Sequence, residues 1–136
     1  MEFSTLREKI SHESKVRAAR NQGFAELAQR AYEAGIQAGV NCRPVPMQVL
    51  DELNGQAWRV DDGACGFAWV TVKPANSAFA KWAQAQGIMR KAYGGGVQYW
   101  VSEFGQSEER KAAFAYAYAR VLCEAGINAF AGSRLD

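Results

Sequence analysis

Four aromatic side chains are the residues whose type and spacing best suggest a binding chemistry. Phe67 and Trp69 share one side of a predicted strand, Gly66 to Val72. Trp100 and Phe104 share one side of a later predicted strand that begins at Val97. Aromatic rings gathered on one face of a sheet can stack the bases of a nucleic acid. The sequence therefore predicts a candidate binding face of these four rings.

A second candidate is the loop from Lys73 to Ser77. It joins a predicted strand to a predicted helix, and Lys73, Asn76 and Ser77 lie beside backbone N–H groups that a helix start leaves free. Such a loop can hold a phosphate or a carboxylate. The alternative is structural: Pro74 ends the strand, and Asn76 or Ser77 caps the helix.

Arg110 is a further candidate binding residue, in the run Gln106 to Lys111. The neighbouring Glu108 and Glu109 could be mistaken for an acid–base pair. Adjacent residues diverge around a helix, however, and acidic groups after a capping Ser107 complement the helix dipole. We therefore expect no catalytic role for these carboxylates.

No arrangement of residues typical of catalysis, metal binding or cofactor binding is present. The chain has three cysteines, Cys42, Cys65 and Cys123, and one histidine, His12. No close cysteine or histidine spacing of the kind that zinc sites use occurs. We predict three reduced thiols, no metal, no cofactor and no enzymatic activity, and leave the reactivity of Cys65 open.

Length and composition favour one α+β domain. The chain has 136 residues, of which 49% are hydrophobic and 22% charged, with a formal net charge of +2. That charge is too small to indicate nucleic-acid binding by itself. The charged N-terminus, Met1 to Ser14, predicts neither a signal peptide nor a membrane span, so we expect a cytoplasmic protein.

The predicted domain covers residues 1–136, with a helical segment at 1–40 and a sheet-containing core at 47–136. Two hairpins are expected, one at Asn54-Gly55 and one at Gly94-Gly95-Gly96. A short helical start capped by Thr5, a polar break at Ser11 to Ser14 and a helix from Val16 to about Ala38 come first. Ser107 starts the strongest helix, and a last strand runs from Ile127 to Ala131.

The architecture that follows is a mixed sheet of about four to five strands. Ala68, Val70 and Val72 make one face aliphatic, which suits the two amphipathic helices that follow the strands. The N-terminal helix has an apolar stripe and no other evident surface on which to pack. We therefore expect it to cover the aromatic face, in which case the rings are core and not a binding surface.

The segment Cys65 to Val72 partly resembles the first ribonucleoprotein motif of RNA-recognition motifs, K/R-G-F/Y-G/A-F-V-x-F/Y. It matches that motif at Gly66, Phe67, Ala68 and Val70. It departs at Cys65, Trp69 and Val72, where the motif has a basic residue, a phenylalanine and an aromatic residue.

The C-terminal half also resembles small proteins of tailed bacteriophages and prophages. The resemblance rests on Gly94-Gly95-Gly96-Val97, Trp100-Val101-Ser102, Gln106 to Lys111 and Gly126 to Asp136, and extends to Cys65 to Val70 and to Lys73-Pro74 with Ser77. It implies a viral protein acting in a bacterial cytoplasm and carries no site residues with it.

Three functions stay open at this point. The first is a non-enzymatic phage accessory protein that binds a macromolecule, either a host or phage protein or a nucleic acid, through Phe67, Trp69, Lys73, Trp100 and Arg110. The second is a binder of small anionic ligands or nucleotides, or an enzyme acting on them, that uses the loop 73–77. The third is a virion assembly component that acts by forming homo-oligomers.

Overall fold

A computed structural model describes residues 3–136 and has an α+β fold with three helices and six strands, which confirms the predicted fold class. The elements are, in chain order, α1 (Phe3–Asn41), β1 (Met47–Asp51), β2 (Gln56–Val60), β3 (Gly66–Val72), α2 (Ala78–Ala85), β4 (Arg90–Lys91), β5 (Val97–Trp100), α3 (Glu108–Glu124) and β6 (Ala129–Leu135).

The main sheet has four strands in the order β4-β5-β3-β6, and every pair in it is antiparallel. The expected number of strands is therefore right, but the sheet is not mixed. β1 and β2 form a separate antiparallel hairpin at the predicted place, with a four-residue loop, 52–55, that ends in Asn54-Gly55. Gly55 has a φ of 66°, the left-handed conformation that made this dipeptide a turn signal.

One face of the main sheet forms one side of the hydrophobic core. Ala68, Val70 and Val72 are completely buried there, below α2 and α3. Ser77 and Ser107 cap these two helices through hydrogen bonds to backbone N–H groups, as the sequence predicted. The prediction of an aliphatic face covered by two helices is confirmed.

Helix α1 differs from its prediction in both length and position. It is continuous from Phe3 to Asn41, with no break at Ser11 to Ser14, and residues 5–20 are exposed. Its second half packs on α3 and α2, where Phe24 meets Phe79 and Tyr32 meets Phe114. It does not lie on the aromatic face, so the expectation that it covers Phe67 and Trp69 is wrong.

Two glycines explain where α1 packs. A Cβ atom at Gly35 would lie 2.7 Å from the Phe114 ring, and a Cβ at Gly39 would collide with the Phe104 ring. The missing side chains therefore let these two rings lie directly against the helix backbone. The sequence showed the glycines, but their packing role depends on residues more than sixty positions away.

Phe104 also departs from its prediction. β5 ends at Trp100, and Phe104 follows in a turn with a φ of 66°, which points its ring toward Phe114 and α1. Period-two counting fails here because the chain has left the strand. The predicted last strand, Ile127 to Ala131, exists, but it runs from Ala129 to Leu135 and so extends beyond Ala131.

Candidate functional site

The second face of the main sheet carries no helix among the residues that the structure describes. Cross-strand pairs share a face, so the register of β3, β5 and β6 places eight residues on it. We call this surface the open face; its residues are Phe67, Trp69, Thr71, Gln98, Trp100, Phe130, Gly132 and Arg134. Trp100 is 39% exposed and Phe130 is 45% exposed, so this face presents large aromatic side chains to solvent.

Phe67, Trp69 and Trp100 form a continuous row of rings, which we call the aromatic platform. Trp69 and Trp100 are directly opposite on β3 and β5, and their rings are stacked with centroids 5.9 Å apart and planes 6° apart. Phe67 continues the row, 5.6 Å from Trp100 at a tilt of 38°. The sequence predicted this grouping of three rings from strand periodicity, and the structure brings them together.

Gly132 makes room for the platform on its β6 side. A Cβ atom there would lie 2.7 Å from Cε2 and Nε1 of Trp69, closer than Cβ atoms approach neighbours in real proteins. The Trp69 indole therefore lies against the bare backbone of β6. No sequence pattern indicated this role, because the predicted strand ended before Gly132.

Two cations border the Phe67 end of the platform. The Arg134 guanidinium lies 5.3 Å from the Phe67 centroid, and the Lys111 ammonium lies 5.6 Å from it. Lys111 comes from α3, is 5% exposed, and donates a hydrogen bond to the Gly66 carbonyl. Lys111 therefore fixes the start of β3 from the core side, and Arg134 is the exposed cation at this end of the open face.

Lys73 borders the opposite end. Its ammonium lies 5.7 Å from the Phe130 centroid, and its side chain passes the turn at Gly95. No carboxylate among the described residues lies within salt-bridge distance of it. Lys73 is thus a cation held beside an exposed aromatic ring with its charge available to a ligand.

The other residues of the loop 73–77 do not join Lys73. Ser77 accepts a hydrogen bond from the Ala80 N–H as the cap of α2. Asn76 lines a different cavity with Arg20 and Lys81. The loop therefore does not converge on one anion, although the cap that the sequence offered as the alternative does form.

Arg110 is not on the open face. It donates hydrogen bonds to the Gly39 carbonyl at 2.8 Å and to the Asp62 carboxylate at 3.1 Å. These contacts join the start of α3 to the end of α1 and to the loop after β2. The structure gives Arg110 a role in holding elements together.

A cavity of about 510 Å³ lies over the open face, between the aromatic platform and Lys73. Its lining residues include basic, aromatic and polar side chains and no acidic one: Trp69, Thr71, Lys73, Ala92, Tyr93, Gly94, Gly95, Gln98, Trp100, Phe130 and Arg134. Arg90 lies beside it, because β4 pairs Arg90 with Gln98. The region can therefore attract an anion and bury aromatic groups together.

Sequence reasoning missed Arg90, Gln98, Phe130 and Arg134 as site residues. Arg90 belongs to a strand of only two residues, and Arg134 to the part of β6 beyond the predicted end. Period-two alternation of Phe130, Gly132 and Arg134 was visible in the sequence. That signal could have found two of the four if the strand had been extended.

The potential metal ligands in the described part of the chain do not gather at one place. No cluster of three or more potential metal ligands occurs among them. Burial, and then a hydrogen bond that Tyr99 donates to Glu103, raise the pKa of Tyr99 above its usual range. Tyr99 packs against both Phe114 and Tyr118 on the core face, so this shift is a consequence of packing.

No helix within residues 3–136 combines the length and the apolar character that crossing a bilayer requires. Searches of protein-family profiles, curated proteins and solved structures found no match to this chain.

Proposed function

We propose that this protein binds single-stranded nucleic acid on the open face and catalyses no reaction. The observation that carries the proposal is the stacked, uncovered pair of Trp69 and Trp100 with cations at both ends of the sheet face. Aromatic side chains beside basic residues are the usual means of holding unpaired bases and their phosphates.

Geometry favours a single strand over a duplex. The distance along β3 from Phe67 to Lys73 is about 20 Å at about 3.3 Å per strand residue. Sheets of this size stack two or three bases in known recognition modules. A duplex hides the base faces within its own stack, so the aromatic platform would gain nothing from it.

Local charge supports the proposal where net charge does not. Lys73, Arg90 and Arg134 surround the aromatic platform, and no acidic side chain lines the cavity. If these three contact phosphates, log Kd should change with log salt by a slope of about 2 in magnitude. That modest slope is the expected signature of a small, locally basic surface.

A phage origin is the biological setting that we propose for this activity, and it rests on the sequence resemblance alone. The small anionic-ligand alternative gains less support, because Lys73 and Asn76 line separate cavities. Assembly of a virion through homo-oligomers is an alternative that light scattering over a range of protein concentrations would test.

Fluorescence anisotropy with labelled single-stranded oligonucleotides of about a dozen nucleotides tests the proposal. We expect Trp69→Leu and Trp100→Leu each to raise Kd about 5-fold to 150-fold, the cost of losing one stacked base. Trp58→Leu is the matched control, because Trp58 is exposed on the β1–β2 hairpin and away from the open face.

Thermal unfolding of each variant would establish that the fold is retained. Absence of binding at low salt would refute the proposal, and so would an equal loss of affinity in Trp58→Leu. Tighter binding to the matching duplex than to the single strand would also refute it, because stacking on the aromatic platform requires unpaired bases.

A further inference from the structure

Thr71 and Gln98 are the two polar side chains at the centre of the open face. They lie directly opposite each other on β3 and β5, next to the Trp69–Trp100 pair. Thr71 is 6% exposed and Gln98 is partly buried, and both line the cavity over the face. A ring stacked on Trp100 would therefore have its edge close to Gln98.

The Gln98 amide makes no hydrogen bond to any other group in the described part of the protein, and neither does the Thr71 hydroxyl. Two polar side chains on the core side are paired instead, since Tyr99 donates to Glu103 and Ser107 donates to the Asp62 carbonyl. A ligand that displaces water from an unpaired amide must supply replacement hydrogen bonds or lose affinity. The position is therefore suited to discriminate between ligands.

The chemistry of the amide indicates which base fits. A glutamine offers one donor and one acceptor side by side, and adenine presents an amino donor beside a ring-nitrogen acceptor in the same spacing. Adenine also has the large purine surface that stacking on an indole rewards. Cytosine lacks that surface, and thymine and uracil lack both it and the amino donor. Guanine has the surface, but beside its ring nitrogen N7 it presents a second acceptor, O6, which leaves the glutamine oxygen without a donor.

We infer that Gln98 is a specificity-determining residue that makes the open face prefer adenine at one position of a bound single strand. This inference rests on the proposed function and deepens it by naming the ligand class. Trp100 supplies the stacking surface, Gln98 reads the base edge, and Lys73 and Arg90 contact the flanking phosphates.

Competition binding with oligoadenylate, oligocytidylate and oligothymidylate of equal length tests this inference. We expect wild-type protein to bind the adenine strand about 5-fold to 150-fold more tightly, the usual value of one bidentate contact to a base. Gln98→Ala should weaken the adenine strand alone by this factor, and only the smaller preference that purine stacking on Trp100 provides should remain. Gln84→Ala, an exposed glutamine on α2, is the matched control and should keep the full preference.

A second probe guards against indirect effects of the substitution. A strand of the same length that carries the unsubstituted base purine in place of adenine lacks the exocyclic amino group. Wild-type protein should bind that strand with the affinity that Gln98→Ala has for the adenine strand. Equal binding of all three strands by the wild type would overturn the inference and leave the proposed function standing. An adenine preference of unchanged size in Gln98→Ala would also overturn it, whereas no binding of any strand would refute both proposals.

Discussion

Gly132→Ala is the most direct test of the aromatic platform, because it moves a ring without deleting one. The added Cβ atom would lie 2.7 Å from Cε2 and Nε1 of Trp69, so the indole must shift. The β6 backbone is fixed by its pairing with β3 and cannot yield easily. Trp69 is partly exposed, and the shift should carry it away from the sheet and out of parallel with Trp100.

The expected effect on binding is large, and the effect on stability is small. Loss of one stacking surface costs about 1–3 kcal/mol per base, which corresponds to about a 5-fold to 150-fold rise in Kd. Replacing glycine by alanine in a strand recovers about 0.5–1 kcal/mol of backbone entropy, which offsets part of the cost of displacing the partly exposed Trp69 ring. We therefore expect the free energy of unfolding to change by less than about 1 kcal/mol.

Two measurements separate the possible outcomes. The indole N–H signals of the tryptophans in a ¹H–¹⁵N spectrum report whether Trp69 has moved relative to Trp100. Anisotropy then reports the affinity for a single-stranded oligonucleotide. Gly23→Ala is the matched control, because its Cβ would enter open space on α1 and should change neither the indole signals nor the affinity.

An unchanged Kd in a Gly132→Ala protein whose indole signals have moved would refute the argument that parallel rings hold the bases. Unchanged indole signals would refute the packing of Trp69 on β6. Loss of affinity with shifted signals and an intact fold is the result that the structure predicts.

Three further predictions concern charge, titration and structure. Lys73→Ala should lower the magnitude of the salt slope of log Kd by about 0.7, whereas Lys81→Ala on α2 should leave it unchanged. Tyr99→Phe should destabilise the protein at neutral pH, because Tyr99 donates a hydrogen bond of 2.8 Å to Glu103. Burial and this hydrogen bond raise the pKa of Tyr99 in the folded state, so the stabilisation is complete below the ordinary pKa of 10.0 and is lost above it. The difference in unfolding free energy between wild type and Tyr99→Phe, measured by urea unfolding, should therefore shrink as pH rises past that value. A difference that stays constant with pH would contradict this role of Tyr99. Arg110→Met should cost about 1–3 kcal/mol of unfolding free energy in the same assay, because hydrogen bonds to backbone and carboxylate are lost, and should leave nucleic-acid affinity unchanged. Weaker binding without a loss of stability would instead return Arg110 to the site.

Local signals explain the elements that the sequence predicted. Asn54-Gly55 specifies a turn within a few residues, and Ser77 and Ser107 cap the helices that they begin. The helix α1 shows the limit of such reasoning. Its polar residues from Ser11 to Ser14 suggested a break, yet exposed polar residues are compatible with a continuous helix that projects from the domain.

The candidate site was predictable where strands were long and regular. Phe67, Trp69 and Trp100 follow the period of two, and the structure groups them. Arg90 and Gly132 lie in places that only strand pairing defines. β4 is too short to show a periodic pattern, and Gly132 contributes by having no side chain where the Trp69 indole packs. Phe104 was assigned to the wrong face because the sequence does not show at which residue a strand ends.

The position of α3 explains why no helix covers the open face. This helix is buried on two sides: it packs on β3 and β6 below and on α1 above. If α1 moved to the other face of the sheet, the outer side of α3 would lose its cover, and the grooves at Gly35 and Gly39 would lose the rings that fill them. The stacking order of sheet, then α3 with α2, then α1 therefore satisfies the helices and leaves the second sheet face without one.

A face left uncovered for this reason would normally be polar in an antiparallel sheet, because one side of such sheets faces water. Here it carries Trp69, Trp100 and Phe130, with lysine and arginine at its ends and no acidic residue in the cavity between them. Exposed apolar patches with a charged border are more often interaction sites than surface without a function. The combination of rings and cations, which packing does not require, is the feature that a single-stranded nucleic acid would use.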